Sequence, residues 1–245
     1  MKKILIITPT IFEAEPIFSE LGSKEKLKVG DTIECDSIVG IVSGIGCNAS
    51  AERIKNAIEK HSPDIIILAG FCGACDKHLK NGDLVYETSS PALNELAKKL
   101  CGASGKIACV EKIADTTKKM ELGESGFVGV EMELDFFKNS INSSNADFIH
   151  LRWISDSLDS DIPPDFFEST MNKQTGELNL SVLRLIKSLI TSPSLVIKLA
   201  RFGSEIAPAK KKYAQSTKDL IKILKETFKK NTKKIKKDID IIAEK

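Results

Sequence analysis

Three acidic side chains stand where an α/β protein would do chemistry: Glu13, Glu133 and Asp156. Glu13 follows the apolar run Lys3–Thr8, Asp156 follows FIHLRWI (Phe148–Ile154), and Glu133 closes GVEME (Gly129–Glu133). A carboxyl near a strand end suits general acid–base work, because partial burial raises its pKa toward the working range. Each acid also has a plainer reading. Glu13 could be a first-turn helix residue favoured by the helix dipole, and Asp156 could cap the loop after a strand. Over Glu131–Asn139, which reads as a helix, the plain reading is a solvated face; that reading is assigned to Glu131 and not to Glu133.

A second pattern is Cys72-Gly73-Ala74-Cys75. A CxxC after a strand can be a thioredoxin-like redox pair, and a redox protein is the alternative from a different class. Such a pair wants a long helix whose N-terminus lowers the thiol pKa, whereas Asn81-Gly82-Asp83 ends any helix within a few residues. No second CxxC completes a four-ligand zinc site. The two cysteines therefore read as small residues in a glycine turn, and thiol reactivity discriminates. His61, His78 and His150 show no ligand spacing; His150 reads as a hydrogen-bonded core residue and Trp153 as core. No metal and no cofactor is expected.

The elements that must position these residues alternate. Lys3–Thr8 reads as a strand, Ile11–Leu21 as a helix ending at Gly22, and 32–43 as a strand or hairpin. Ala49–Lys60 is an amphipathic helix, Asp64–Ala69 a buried strand, and Gly70–Ala74 a tight turn. Asp83–Glu87 reads as a strand, Ala92–Leu100 as a helix, Lys106–Lys112 and Gly126–Val130 as extended, and Phe148–Ile154 as a third strongly apolar strand. Helical patterns follow at 165–171, 179–191, 194–203 and 208–242. Strand–helix alternation implies a three-layer α/β/α fold around a mixed, mostly parallel sheet. Ligands in such folds bind beyond the carboxyl ends of the strands, which directs attention to Thr8–Glu13, Gly70–Gly73 and Arg152–Asp156.

Bulk composition narrows the classes. Hydrophobic residues make up 42% and charged residues 29%, as in an ordinary globular protein. Aromatics at 6% argue against a base-stacking platform, so no nucleic-acid partner is expected. The apolar run Ile4–Ile7 is too short for a signal-peptide core, and no stretch approaches the ~18 apolar residues of a membrane span. A cytoplasmic setting with free thiols is the expectation. Residues 210–245 carry 13 Lys against 5 acidic residues, leaving 23 basic and 29 acidic residues before them. This basic amphipathic stretch suits a terminal helix packed on the body, with 229–245 as an extension beyond a catalytic domain of 1–228. The extension could be an oligomer contact or a weak membrane-surface contact with anionic lipid.

Five segments in order resemble the nucleoside phosphorylase/nucleosidase superfamily. They are IIxxxxxEA (Ile6–Ala14), SGIG (Ser43–Gly46), AGFCGACDKHLKNGDLV (Ala69–Val85), GVEME (Gly129–Glu133) and RWISD (Arg152–Asp156). The last matches the nucleosidase branch, and the run Ile162-Pro163-Pro164 with the helices after it resembles futalosine hydrolases and hopanoid-associated phosphorylases. The resemblance implies cleavage of a purine N-glycosidic bond in a small-molecule nucleoside, and assembly as a homo-oligomer such as a dimer. It assigns protonation of purine N7 to Asp156, oriented by Ser155, and the ribose 2′ and 3′ hydroxyls to Glu133, with Met132 on the sugar face. Glu13 would be the general base on the attacking water, with Arg152 helping to hold that water. Cys72 and Gly73 would bring backbone close to the substrate, and the purine grip would lie within Cys109–Thr117.

The superfamily's phosphorylases hold phosphate with arginines near the first loop and beside the glycine segment, but Thr8–Glu20 and 61–76 contain no Arg or Lys. Water is thus favoured over phosphate, with a phosphorylase (including one for a lipid-linked nucleoside) or a non-catalytic nucleoside binder as alternatives. Phe71 stands where nucleosidases usually carry a small or hydroxyl residue that helps hold the water. Its ring would line the base pocket or mark an altered substrate.

Overall fold

Five consecutive buried residues, Ile4–Thr8, form β1, which is flanked on both sides by other strands. A strand covered on both faces reads as a continuous apolar run, which is why ILIIT shows no alternation. The computed structural model describes residues 2–160, 170–178, 203–204 and 206–227. The elements in order are β1, α1 (Ile11–Glu20), β2 (Thr32–Cys35), β3 (Ile38–Val42), α2 (Asn48–His61), β4 (Ile65–Ala74), β5 (Leu84–Thr88), α3 (Pro91–Lys99), β6 (Ala103–Ser104), β7 (Lys106–Cys109), α4 (Thr116–Glu124), β8 (Phe127–Glu131), α5 (Leu134–Ser143) and β9 (Asp147–Asp156). A last helix covers 206–227.

The sheet runs β2-β3-β1-β4-β9-β5-β6, with β8 paired to both β4 and β7. Pairings β1–β3, β1–β4, β4–β9, β5–β6 and β7–β8 are parallel, and β2–β3, β4–β8 and β5–β9 antiparallel. One face is covered by α1, α3 and the last helix through Ala14, Ile17, Phe18, Leu93, Leu96, Tyr213, Leu220 and Leu224. The other is covered by α2 and α5 through Ile54, Ala57, Phe137 and Ile141. The three-layer α/β/α architecture follows. Among the described residues no helix is long and apolar enough to cross a membrane.

Two expected boundaries are corrected. Gly70–Ala74 is not a turn but the second half of β4. This strand lies at the centre of the sheet, and its small residues permit close approach by neighbouring groups rather than breaking the chain. Glu131 is the last residue of β8 and Glu133 caps the N-terminus of α5, so no helix begins at 131. Thr170 is helical, at the end of the expected 165–171 pattern, and residues 171–178 form a turn closed by a Met171–Leu178 bridge. The helical patterns expected at 165–169, 179–191 and 194–202, and the tail from 228, lie outside the described residues.

β4 is the strand that makes a site. Its pairing with β1 ends at Leu68, and its pairing with β8 begins only at Gly73. Between them one edge has no strand beside it, at the carboxyl end of β1. On the opposite edge the pairing with β9 continues to Gly73 with a bulge at Cys72/Gly73. Bulges re-aim side chains next to functional sites.

The last helix fixes this region from behind. Tyr213 is 1% exposed, its hydroxyl donates to the Glu13 carbonyl at 2.8 Å, and its ring lies 4.8 Å from both Phe71 and Trp153. Tyr213→Phe removes the hydrogen bond and keeps the packing, so it should cost about 1 kcal/mol. Thermal melts should show a drop of ~2–4 °C.

Candidate active site

The open edge of β4 is closed by side chains. The Phe71 N–H donates to Glu13 Oε1 at 2.7 Å, and the Phe71 carbonyl accepts from Arg152 Nη1 at 3.2 Å. A charged pair thus takes the place of a neighbouring strand. Glu13 is held from its other side by a capping box with Thr10, whose N–H donates to Oε2 at 2.8 Å and whose hydroxyl donates at 2.6 Å. Glu13 thus caps α1 and is at the same time a carboxyl buried at 4% exposure.

Arg152 reaches that edge by crossing Gly70, its register partner on β4. A Cβ at Gly70 would stand 2.5 Å from both Arg152 Nη1 and Glu13 Oε1, so only glycine allows the crossing. The guanidinium is fully buried. Its Nη2 donates to Glu131 Oε2 at 2.5 Å and to Glu133 Oε2 at 2.9 Å, and its Nε donates to His150 Nε2 at 2.7 Å. His150 therefore carries its proton on Nδ1, and burial first, then Arg152, lowers its pKa to about 3. It is a neutral core acceptor, as the sequence suggested.

Glu131 is not on a solvated helix face. It is buried at 5% exposure, pairs with Arg152, and accepts the N–H groups of Glu133 at 3.0 Å and Leu134 at 3.2 Å. Its carboxylate caps the N-terminus of α5, where negative charge is favoured. The spacing E-x-E missed this because β8 ends and α5 starts within three residues, so both glutamates turn inward.

The carboxyls divide by environment. Burial opposes ionisation of Glu131, but Arg152 and the surrounding donors outweigh it and hold its pKa below the ordinary range. Burial raises Glu133 well above the ordinary value; Arg152 opposes this and the neighbouring Glu131 charge adds to it. Burial also raises Glu13 against the pull of Arg152 and Thr10. A pair of carboxyls driven apart in this way can supply one fixed anion and one group able to take or give a proton near neutrality.

Beside this cluster lies a cavity of about 200 Å³, lined by Phe71, Cys72, Gly73, Met132, Glu133, Ser155 and Asp156 from the expected set. Val110, Ile113 and Ala114 also line it, bringing in the segment in which the purine grip was expected. Glu13 and Arg152 are not in the lining; they sit behind Phe71, which has them on its N–H and carbonyl. The Phe71 ring itself packs on Tyr213. Met132 approaches the SGIG segment so closely that a Cβ on Gly46 would lie 2.1 Å from its carbonyl oxygen.

Asp156 is 3% exposed, and both of its oxygens are engaged. Ser155 Oγ lies 2.5 Å from Oδ1 and 3.1 Å from the Cys72 carbonyl, between the carboxyl and β4. Oδ2 accepts from the Lys119 ammonium, which also donates to the Ser157 carbonyl at 3.1 Å. Lys119 is 1% exposed and lines the cavity. Sequence reasoning missed it: in the run Lys118-Lys119 nothing separates the solvated lysine from the buried one.

The redox alternative finds no support. Cys72 and Cys75 are each 4% exposed and free. Burial pushes the Cys72 thiol far up and the Cys75 thiol to about 11, opposite to a reactive thiolate.

No family model matches the chain. Among solved structures, a 5′-methylthioadenosine/S-adenosylhomocysteine nucleosidase of Campylobacter jejuni is similar at 22% identity and TM-score 0.57, over 69% of this chain and 91% of that one. Futalosine hydrolase of Helicobacter pylori is similar at 17% identity and TM-score 0.63, over 90% of this chain and 97% of that one. A methylthioadenosine/adenosylhomocysteine nucleosidase variant of H. pylori with 5′-methylthioadenosine in its active site gives 18% identity and TM-score 0.63, over 91% and 99%. The fold is that of these nucleosidases. Within this nucleosidase fold, the acid cluster and Asp156 lie at the carboxyl ends of β1, β8 and β9, beside the exposed edge of β4.

The charge balance is testable by stability alone. Glu133, raised in the fold, contributes stability that is complete below its ordinary value of 4.5 and is lost as pH rises through the raised value. Glu133→Gln should therefore be more stable than the unaltered protein at pH 7, with the difference vanishing near pH 4. Glu131→Gln should lose about 3 kcal/mol at pH 7, because it removes a lowered carboxylate paired with a buried cation. Thermal melts of both variants from pH 4 to 8 check the opposite signs.

Proposed function

We propose that the chain is a purine nucleosidase that hydrolyses the N-glycosidic bond of a 5′-modified nucleoside. The observation that carries the reading is a single cavity bounded by Glu133 with Met132 and by Asp156 with Ser155, with the Glu13–Arg152 pair one residue behind its wall. Breaking the bond builds positive charge on the ribose and negative charge on the base. Glu133 would take the ribose hydroxyls, and the negative charge of the carboxyl cluster, held firmly on Glu131, would stabilise the cation electrostatically.

The base would leave neutral after protonation at N7. A proton passes from the Lys119 ammonium through Asp156 to N7, leaving Lys119 as the amine and Asp156 as a carboxylate. Water would add its oxygen to C1′ and give its proton to Glu13, whose raised pKa fits a base. Glu13 Oε1 retains a lone pair beside its bond to Phe71, while Oε2 is taken by the two Thr10 donors.

Water is favoured over phosphate because the cations here are already engaged. Lys119 pairs with Asp156, Arg152 lies among Glu13, Glu131 and Glu133, and Arg53 Nη1 is bonded to the Ser43 and Thr175 carbonyls at 2.8 and 2.9 Å. An entering phosphate would meet three carboxyls. Homo-oligomerisation is carried forward as a proposal; among the described residues Phe12, Met120 and Phe136, at 46, 50 and 38% exposure, are the large apolar side chains available to it.

Incubation with methylthioadenosine, adenosylhomocysteine, inosine and futalosine, with and without phosphate, tests the reading. Free base should appear without phosphate from at least one. Asp156→Asn and Glu13→Gln should each lower the rate ~10²–10⁴-fold while binding persists. Base release from none sinks the enzyme reading and leaves a nucleoside binder; release only with phosphate makes it a phosphorylase.

A further inference from the structure

We propose that Lys119 selects the leaving base, favouring a 6-oxopurine over a 6-aminopurine; this rests on the nucleosidase reading. Lys119 comes from α4 and points into the cavity at 1% exposure. Gly73 opens its path, since a Cβ there would lie 3.0 Å from Lys119 Cε and 3.0 Å from Asp156 Oδ2. An ammonium has three N–H donors. One goes to Asp156 and one to the Ser157 carbonyl. Among the described residues the third has no partner, and Lys119 lines the cavity.

The edge of a purine beside N7 differs between the two classes. A 6-oxopurine offers two adjacent acceptors, O6 and N7. A 6-aminopurine offers N7 next to an N–H donor. Asp156 without Lys119 could accept from that amino group. Lys119 on Oδ2 and Ser155 on Oδ1 take one lone pair of each oxygen, and they set an ammonium donor beside the acid on the cavity wall. The pair therefore presents donors to the base: Lys119 to O6, and the shared proton to N7. An amino group at position 6 would set donor against donor in a buried site, leaving the third N–H of Lys119 unsatisfied. Sites built to hydrogen-bond a substrate discriminate strongly against the analogue that cannot respond.

The surroundings of Lys119 are consistent with a placed group rather than a stray one. Val110, Ile113, Ala114 and Val130 give the same cavity an apolar lining, while Glu131 and Glu133 line it with carboxyls. A buried ion pair is weak support for stability by itself, because desolvation offsets the attraction. Retaining it in a cavity wall fits a role toward a ligand.

Two measurements on the full chain decide this. Calorimetric titration should show hypoxanthine binding at least ~10-fold more tightly than adenine, and kcat/KM should favour inosine-type over adenosine-type substrates with the same 5′ group by at least ~10-fold, the size of one well-placed buried hydrogen bond. Lys119→Met should abolish both preferences. If the single variant fails to fold because Asp156 is left unpaired, Lys119→Met with Asp156→Asn removes both charges and should still bind the two bases equally. Equal or adenine-favouring binding by the unaltered protein overturns the proposal whatever the variants do. Base release without a 6-oxo preference overturns the role of Lys119 alone. Neither base bound and none released overturns the nucleosidase reading with it.

Discussion

The site depends on one buried cation. Arg152 is fully enclosed, and a guanidinium cannot escape burial by giving up its proton. Its charge has to be met by partners, and Glu13, Glu131 and Glu133 converge on it from α1, β8 and the start of α5. Removing Glu131, the carboxylate held ionised against it, costs more than the pair contributes, because an unbalanced charge remains. The cluster therefore fixes the relative placement of three separate elements. It also leaves more negative than positive charge in a dry space, which drives the carboxyl pKa values apart.

Backbone geometry makes the cluster possible. β1 stops beside Leu68 of β4, and β8 starts pairing only at Gly73. The Phe71 peptide groups in the gap need partners, since a buried N–H or C=O without one is costly. Glu13 and Arg152 supply them. Gly70 lets the arginine cross the strand, and the last helix, through Tyr213, holds the Glu13 backbone and the Phe71 ring. The ring that seemed to disturb the water site is part of the wall that joins α1, β4 and the last helix.

Much of this was legible in the sequence. Apolar runs at Lys3–Thr8, Asp64–Ala69 and Phe148–Ile154 gave three central strands, because doubly covered parallel strands are uniformly apolar. The strand-end rule then pointed to two segments that line one cavity, at Phe71–Gly73 and Ser155–Asp156, and to Thr8–Glu13, whose Glu13 bonds Phe71 behind that wall. Tertiary pairing hid the rest. Gly70–Ala74 looks like a turn by composition but is a strand because β9 pairs alongside it through Gly73. Glu131 looks like a surface residue until β8 ends on it. Lys119 carries no local signal, since its partner Asp156 is 37 residues away. Tyr213 could have been suspected as one of only two tyrosines, lying on an otherwise Lys-rich helix.

The central claim is that water adds at the anomeric carbon of a nucleoside bound over this acid cluster. Cleavage in ¹⁸O-labelled water with phosphate also present, followed by mass spectrometry of the sugar product, tests it directly. The account predicts free sugar carrying one ¹⁸O at C1′ and no sugar phosphate. Unlabelled sugar 1-phosphate as the product would contradict it.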